Sequence, residues 1–506
     1  MRVQTARRCS GICQRSQSGI ALLMLVIVIV LVMSSFYFNS ISLNEIKNDE
    51  MVQTRKALAD AKQGLIDYAV MHASVNGAGN GIGGGDPGEY GYLPCPYIDA
   101  ADGNQNANCG NRHVNTIGLL PWATMQTDIL RDGSGNCLWY AVSGSYKNWQ
   151  FSGLLNQDSP GMLQVVDEAN NIVIGNNIED RPVAMIIAPG HALAGQLRVN
   201  NPALACGSDG TQLAQYLDSN GVTDNAVLNG AIHVPDAFIH ARLASDPDDD
   251  TDDYNDQFVL VTRDEIWQAV YRTDIDIRFA ELTEAIAQCL ANYANEPNNE
   301  GRKLPTPAPL DLATYRAEIE YDDHSLADAA AAGYVGRIPW DVDDSNSANT
   351  LAGAVIDNIF DDPDLCENID LPSTAIVEDI DLNDVDDMHR KLFMNWKEHF
   401  FYALSENYKP ENVPLGGYVG CGNCVDIAGT EYAAIVFFSG QAEGGQTRVF
   451  DDIAATDDKA AVGNYLENGN DAVFAVASGD DTFFTSATGD IMFCVTDAAA
   501  PAAVAC

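Results

Sequence analysis

The chain has 506 residues, 46% of them hydrophobic, and carries 27 Lys and Arg against 72 Asp and Glu, a formal net charge of -45. A surface of that sign repels phosphate backbones, which excludes nucleic acid as a partner. The apolar content excludes a disordered chain, and the length exceeds what one core organises, so at least two modules are expected.

Residues 1–19 contain Arg2, Arg7, Arg8 and Arg15 and no acid, and no charge follows from Ile20 to Phe38. This run is predicted to form a helix able to cross a hydrocarbon layer of about 30 Å, its basic end inside and everything after it exported. A secretory signal core spans only about 7 to 15 apolar residues ahead of a small-residue cleavage site. Here the run ends instead in "SSFYFNS". Ile41, Ile46, Leu58, Ala61, Leu65 and Ala69 then recur at mostly helical intervals, with neither Pro nor Gly before Gly64, so one helix is expected from Ile20 to about Val70. Its first half would face lipid and its second half would be amphipathic. Of the 12 cysteines only Cys9 and Cys13 precede this run, and the even remainder fits an oxidising compartment.

A basic leader ending in Gly19, the apolar "GIALLMLVIVIVLVMSSFYF" and its continuation into an amphipathic helix resemble the prepilin N-terminus of type IV pilins and type II secretion pseudopilins. The resemblance implies that a prepilin peptidase cuts after Gly19 and leaves Ile20 as the methylated first residue. It also implies a single-pass inner-membrane protein whose modules lie in the periplasm or on an extracellular fibre, with other pilin or pseudopilin subunits as partners. The family usually has Glu at the fifth mature position, paired with a neighbour's terminal amine, whereas Met24 stands here. In the family that absence is similar to the minor pseudopilin at the fibre tip. An uncleaved signal anchor is the alternative reading of the same segment.

Beyond the helix, seven blocks recur in one order. The first copy reads "LADAKQGLIDYAV", "YLPCP", "GLLPW", "LWYAVSGSYKN", "VAMIIAPGHALAGQLR", "QYLDSNG" and "DQFVLVTRDEIW". The second reads "LTEAIAQCLANYA", "KLPTPAP", "GRIPW", "FFYALSENYKP", "YAAIVFFSGQAEGGQTR", "NYLENGN" and "DTFFTSATGDIM". In each, a helix is stopped by a proline pair, a Pro-Trp suggests an aromatic folded onto that helix, and "LWYAV", "FFYAL", "VAMIIA" and "AAIVFF" read as buried strands. Thr262 and Glu265 form a capping box, from which a long helix through "IWQAVYRTDIDIRFAELTEAIAQCLANYA" is expected to end one module and serve the next. The expected class is therefore α+β: a long N-terminal membrane-spanning helix followed by two tandem pilin-like modules, each a helix on a small antiparallel sheet. The expected divisions are a leader at 1–19, a transmembrane helix at 20–48, and modules at 49–271 and 272–506, the second with an acidic insertion at about 341–387. The recurring blocks also resemble large pseudopilin-like proteins, and no enzymatic residue set comes with that resemblance.

The acidic stretch "DPDDDTDDYND" offers Asp246, Asp248, Asp250, Asp252 and Asp256 as calcium ligands, although it lacks the Gly turn and terminal Glu of an EF-hand. A solvated acidic loop is the competing reading, and calcium is the sole cofactor considered. Asp99 to Asn108 could likewise close round an ion or simply turn the chain. Cys95 with Cys109 is the preferred first disulfide, private to module one because Thr306 stands where Cys95 recurs. Cys421 and Cys424 have redox or zinc spacing but no second ligand pair or thioredoxin-like setting, so a small disulfide loop is expected, and Cys494 with Cys506 would tie down the tail. "GNGIGG" opens no helix after a strand, and the eight histidines, His389 and His399 among them, form no HExxH or triad pattern. The function expected is a non-enzymatic subunit of a type II secretion pseudopilus or type IV pilus-like fibre, at the tip or as a minor subunit. The alternative is a membrane-tethered periplasmic binding, adhesive or hydrolytic ectodomain.

Overall fold

The computed structural model describes residues 17–40, 43–71, 89–97, 102–106, 108–111, 113–148, 155–193, 195–198, 206, 212–240, 254–297, 299, 301–308, 310, 333–339, 366, 380–382, 384, 387–409, 417–422, 424–442, 444–448, 461–467, 469–474, 483–484 and 489–506. Two helices open it, α1 (Gln17–Ser40) and α2 (Leu43–Met71), so the uninterrupted rod expected from Ile20 to Val70 is not one element. Among the described residues no helix is long and apolar enough to cross a membrane. This overturns the expected membrane-spanning stem and, with it, the single-pass inner-membrane location. The apolar surface of α1 that is described covers residues 22–33, about 18 Å at 1.5 Å per residue, against a hydrocarbon layer of about 30 Å.

The first module is built on strands β1 (Thr116–Leu119), β2 (Trp139–Val142), β3 (Leu163–Val166), β4 (Ile172–Ile174), β5 (Ala184–Ala188), β6 (Asp236–Ile239) and β7 (Gln257–Val261). Four of them make an antiparallel sheet in the order β1-β2-β5-β7, and β4-β3-β6 make a second, smaller sheet in which β3 and β6 run parallel. Side chains alternate across a strand, so the larger sheet has two distinct faces. Tyr140, Val142, Ala184, Ile186 and Val261 face Leu58, Ala61, Leu65 and Ala69 of α2, whose spacing places them on one helix stripe. Trp139, Ala141, Met185 and Ile187 face the other way and pack on Leu163, Val165 and Phe238 of the smaller sheet. Trp122 joins this second cluster and covers Gly103, rather than folding onto the helix as expected from its Pro-Trp motif.

Next come α3 (Arg263–Val270) and α4 (Ile275–Asn295). The capping box at Thr262 and Glu265 starts α3 as expected, but the single long helix predicted from it is broken. Thr273 Oγ1 donates to Val270 O at 2.6 Å, and Asp274 stands outside the helical region at φ -82° and ψ 21°. A hydroxyl bonding the local backbone competes with the helical ladder at this bend.

The second module contains β8 (Val335–Arg337), α5 (Met388–Trp396), β9 (Phe400–Leu404), β10 (Val425–Ile427), β11 (Thr430–Phe438), α6 (Asn470–Phe474), β12 (Phe483–Phe484), β13 (Ile491–Thr496) and β14 (Ala503–Ala505). Its sheet includes β8, β9, β11 and β13 paired in the same succession and sense as β1, β2, β5 and β7. Connections repeat as well. Tyr97 N bonds Leu119 O at 3.1 Å and Ala308 N bonds Arg337 O at 3.0 Å; Leu93 N bonds Tyr146 O at 2.7 Å and Leu304 N bonds Tyr408 O at 2.9 Å. The last sequence block is corrected by this register. The partner of β11 is Ile491–Thr496, so "DIMFCV" and not "DTFFTS" corresponds to "DQFVLV". Helix α4 lies over β11 and β13, with Phe279, Leu282, Ile286 and Leu290 in the same continuous core as α2 and the first sheet.

Candidate functional site

The residues that the duplication repeats most faithfully sit at the end of the central strand. After β5 the chain turns at Gly190, whose φ of +57° suits a residue without a side chain, and "GQLR" brings Arg198 back beneath the turn. Arg198 donates to Gly190 O at 2.5 Å, Pro189 O at 3.1 Å, Gln215 O at 3.0 Å, Tyr216 O at 3.0 Å and Gln196 Oε1 at 2.5 Å, with its guanidinium 5.0 Å from the Tyr216 ring centre. After β11, "GQTR" does the same. Arg448 donates to Gly440 O at 2.7 Å, Gln446 Oε1 at 2.6 Å, Tyr465 O at 3.2 Å and Asn464 O, and lies 4.9 Å from the Tyr465 ring centre. Every nitrogen of both guanidiniums is engaged by the protein itself, so these arginines close loops and offer no fork to an anion.

Beside each arginine lies a pair of acids. Asp218 and Asp256 clasp each other's backbone: Asp256 N donates to Asp218 Oδ2 at 2.7 Å and Asp218 N to Asp256 Oδ2 at 2.9 Å, while Asn225 Nδ2 adds a third bond to Asp256 at 2.8 Å. Burial raises the affinity of Asp218 for its proton, and burial followed by the charge of Asp218 holds Asp256 well above the usual carboxylate range. In the second copy Glu467 N reaches Asp490 Oδ2 at 3.4 Å, and burial followed by Glu467 pushes Asp490 up to about 7.

These positions decide what can be said of the expected calcium loop. Asp246, Asp248, Asp250 and Asp252 lie outside the described residues, as does "GNGIGG" at 79–84. Asp256 is a buried member of the clasp rather than a ligand on an open loop. Asp102 accepts from Asn104 N at 3.1 Å, the geometry of an Asx turn. The cysteines pair as Cys95 with Cys109, Cys137 with Cys206, Cys289 with Cys366, Cys421 with Cys424, and Cys494 with Cys506. Asp497 beside Cys421 and Cys424 accepts hydroxyl bonds from Tyr408 at 2.5 Å and Tyr418 at 2.7 Å, and with both sulfurs bonded to each other no zinc set remains.

Gly19 and Ile20 fall in the first turn of α1. Further along, residues 22–33 are all exposed, from 46% at Ile27 to 69% at Met33, and none of these described side chains enters any of the three apolar clusters. Met24, at the position where the family places Glu, is 61% exposed. Comparison with family models, curated proteins and solved structures found no match.

A third feature was not legible beforehand: polar side chains at the seam where the modules meet. Asn395 of α5 takes Leu155 N on its Oδ1 at 3.0 Å, and Asn156 Nδ2 donates to Asn395 O at 2.9 Å and to Glu398 Oε1 at 2.7 Å. Gln157 Nε2 reaches Gly440 O at 3.1 Å. Nearby, Glu281 of α4 lies 3.0 Å from His389 Nε2 and 3.1 Å from Arg278 Nη1. Burial alone would lower the basicity of His389, but the carboxylates of Asp387 and Glu281 hold it above the ordinary imidazole range.

Proposed function

We propose that the protein is a non-enzymatic, pilin-like subunit of a type II secretion pseudopilus or type IV pilus-like fibre, assembling through α1. The observation that carries this reading is the contiguous apolar surface of residues 22–33, exposed all round, whereas the exposed large apolar side chains elsewhere, such as Val52, Leu197, Val222 and Val419, are scattered. A helix apolar on every face gains by packing among other apolar helices, and a contiguous exposed patch of this kind marks an interaction surface. The occupant that suits it is the corresponding helix of other subunits in a fibre. In this reading a prepilin peptidase removes the leader after Gly19, α1 bundles, and the two α+β modules project from the fibre as one acidic head. The exposed Met24 supplies no carboxylate for a neighbour's amine, which favours a tip or minor position.

Mass spectrometry of protein from its native host tests the processing step, with an N-methylated Ile20 as the expected start and an intact Met1 as the contrary result. Val28→Asp tests assembly. Co-isolation with fibre subunits should fall at least tenfold while the disulfide-bonded head stays folded, and unchanged co-isolation would remove the basis of the reading.

A further inference from the structure

We propose that the seam between the modules holds one divalent transition-metal ion, zinc in the first instance, on Asp158, Glu398 and His399. Asp158 comes from the loop between β2 and β3, whereas Glu398 and His399 come from the short turn between α5 and β9. Their exposures are 4%, 1% and 0%, and one ligand atom from each lies within 4.8 Å of the others.

The geometry at His399 points to a cation. Its Nδ1 faces Ser439 O at 3.3 Å and Ser439 Oγ at 3.1 Å, which favours the tautomer with the proton on Nδ1. Nε2 then presents its lone pair to Asp158 Oδ2 at 3.0 Å. Neither of these two buried atoms has a hydrogen-bond partner. Two lone pairs facing at that distance repel unless something positive lies between them. A proton would answer that need as an ion pair, and so would a metal ion shared with Glu398.

A metal ion fits the same atoms better. Ligands about 2.1 Å from an ion stand about 3.0 Å apart at a right angle and about 3.4 Å apart in a tetrahedral set. The bond from Nδ1 to Ser439 is the usual outer support of a metal-bound imidazole, and Asn156 Nδ2, at 2.7 Å from Glu398 Oε1, orients the second carboxylate. One imidazole and two carboxylates suit zinc or manganese, whereas calcium takes six to eight oxygens. Two guanidiniums approach as well: Arg337 donates to Glu398 O, and Arg448 to Gly440 O and Tyr465 O. Because the ligands come from both modules, the ion would fasten them together.

Full-length protein is stripped with chelator under oxidising conditions, equilibrated with zinc chloride, desalted and assayed for metal. One zinc per chain is expected, with a midpoint of thermal unfolding several degrees above that of stripped protein. Cobalt should give a visible absorption band from a site of mixed nitrogen and oxygen ligands. Asp158→Asn should abolish the stoichiometric zinc and the thermal shift while circular dichroism stays that of the parent. If that variant misfolds, the cobalt spectrum of the unaltered chain still decides. Less than about 0.1 zinc per chain, no cobalt band, or equal retention by a folded Asp158→Asn would overturn the proposal and leave an ion pair between His399 and Asp158.

Discussion

The two modules close the same loop with the same arginine but with different acids, and the difference shows what the duplication had to keep. Arg198 and Arg448 satisfy matching carbonyls at Gly190 and Gly440 and at Tyr216 and Tyr465. The acids beside them diverge: Asp218 and Asp256 bond each other's backbone at 2.9 Å and 2.7 Å, whereas Glu467 N meets Asp490 at 3.4 Å. Backbone groups buried under a returning loop require a partner in both copies, while the carboxyl pair is free to drift once the loop is closed. The lysine after the repeated tyrosine drifts in the same way. Lys147 donates to Cys109 O, at the end of the disulfide-closed loop, and to Val114 O just beyond it, at 3.0 Å each, and Lys409 lies 4.5 Å from the Tyr334 ring centre.

The strongest way to break this comparison is to remove the arginines. Arg198→Ala and Arg448→Ala should each cost on the order of 3–5 kcal/mol, because several buried carbonyls lose their donor at once. Urea unfolding should give similar losses for both, and a loss below about 1 kcal/mol for either would mean that its loop is held by something else.

Asp490 sharpens the contrast. Its carboxyl keeps its proton up to about 7 in the fold, against 3.8 ordinarily, so the folded state binds the proton more tightly than the unfolded chain. Stability therefore declines as pH rises from about 4 through about 7 and is lowest above that window. Asp490→Asn should leave stability unchanged at low pH and raise it by about 1–2 kcal/mol at pH 8, read from thermal midpoints at both pH values.

His389 varies with pH in the same direction, but there it is the charged form that the fold stabilises. Its raised basicity means that its contribution is full below about 6.5, the unfolded value, and fades as pH climbs through the higher folded value. Burial works against Glu281, but His389 and Arg278 hold it below the ordinary value, so its contribution is present above that value and fades on acidification. His389→Gln should cost about 1 kcal/mol near pH 6 and progressively less in alkaline buffer. The smallest effect belongs to the junction. Thr262→Ala removes the capping hydroxyl that accepts from Glu265 N at 3.3 Å and should cost about 1 kcal/mol, measured as a drop in thermal midpoint.

Much of the repeated framework was legible because it rests on local chemistry. The apolar stripes of α2 and α4, the continuous apolar strands and the Thr262 capping box each declare themselves within a few residues, whereas both helices end well before the proline pairs expected to stop them. The last repeat block misled because "DTFF" resembles "DQFV" in composition, while its true register is set by pairing with β11 across the sheet. The bend at residues 271–274 was hidden because apolar periodicity continues on both sides of it. The smaller sheet was hidden for another reason: β3 and β6 are short strands far apart in sequence, brought into parallel pairing by the fold. Nor could the seam be read in advance, since Asp158, Asn395, Glu398 and His399 form no spaced motif and converge only when the modules pack. The apolar run from Ile20 was plain in the sequence, and residues 22–33 of it are exposed in α1.

Photocrosslinking from position 28 tests most directly whether α1 is the assembly surface. With Val28 replaced by a photoreactive phenylalanine analogue, illumination in cells should trap the amino-terminal helices of other fibre subunits. Adducts confined to this chain's own modules would contradict the account.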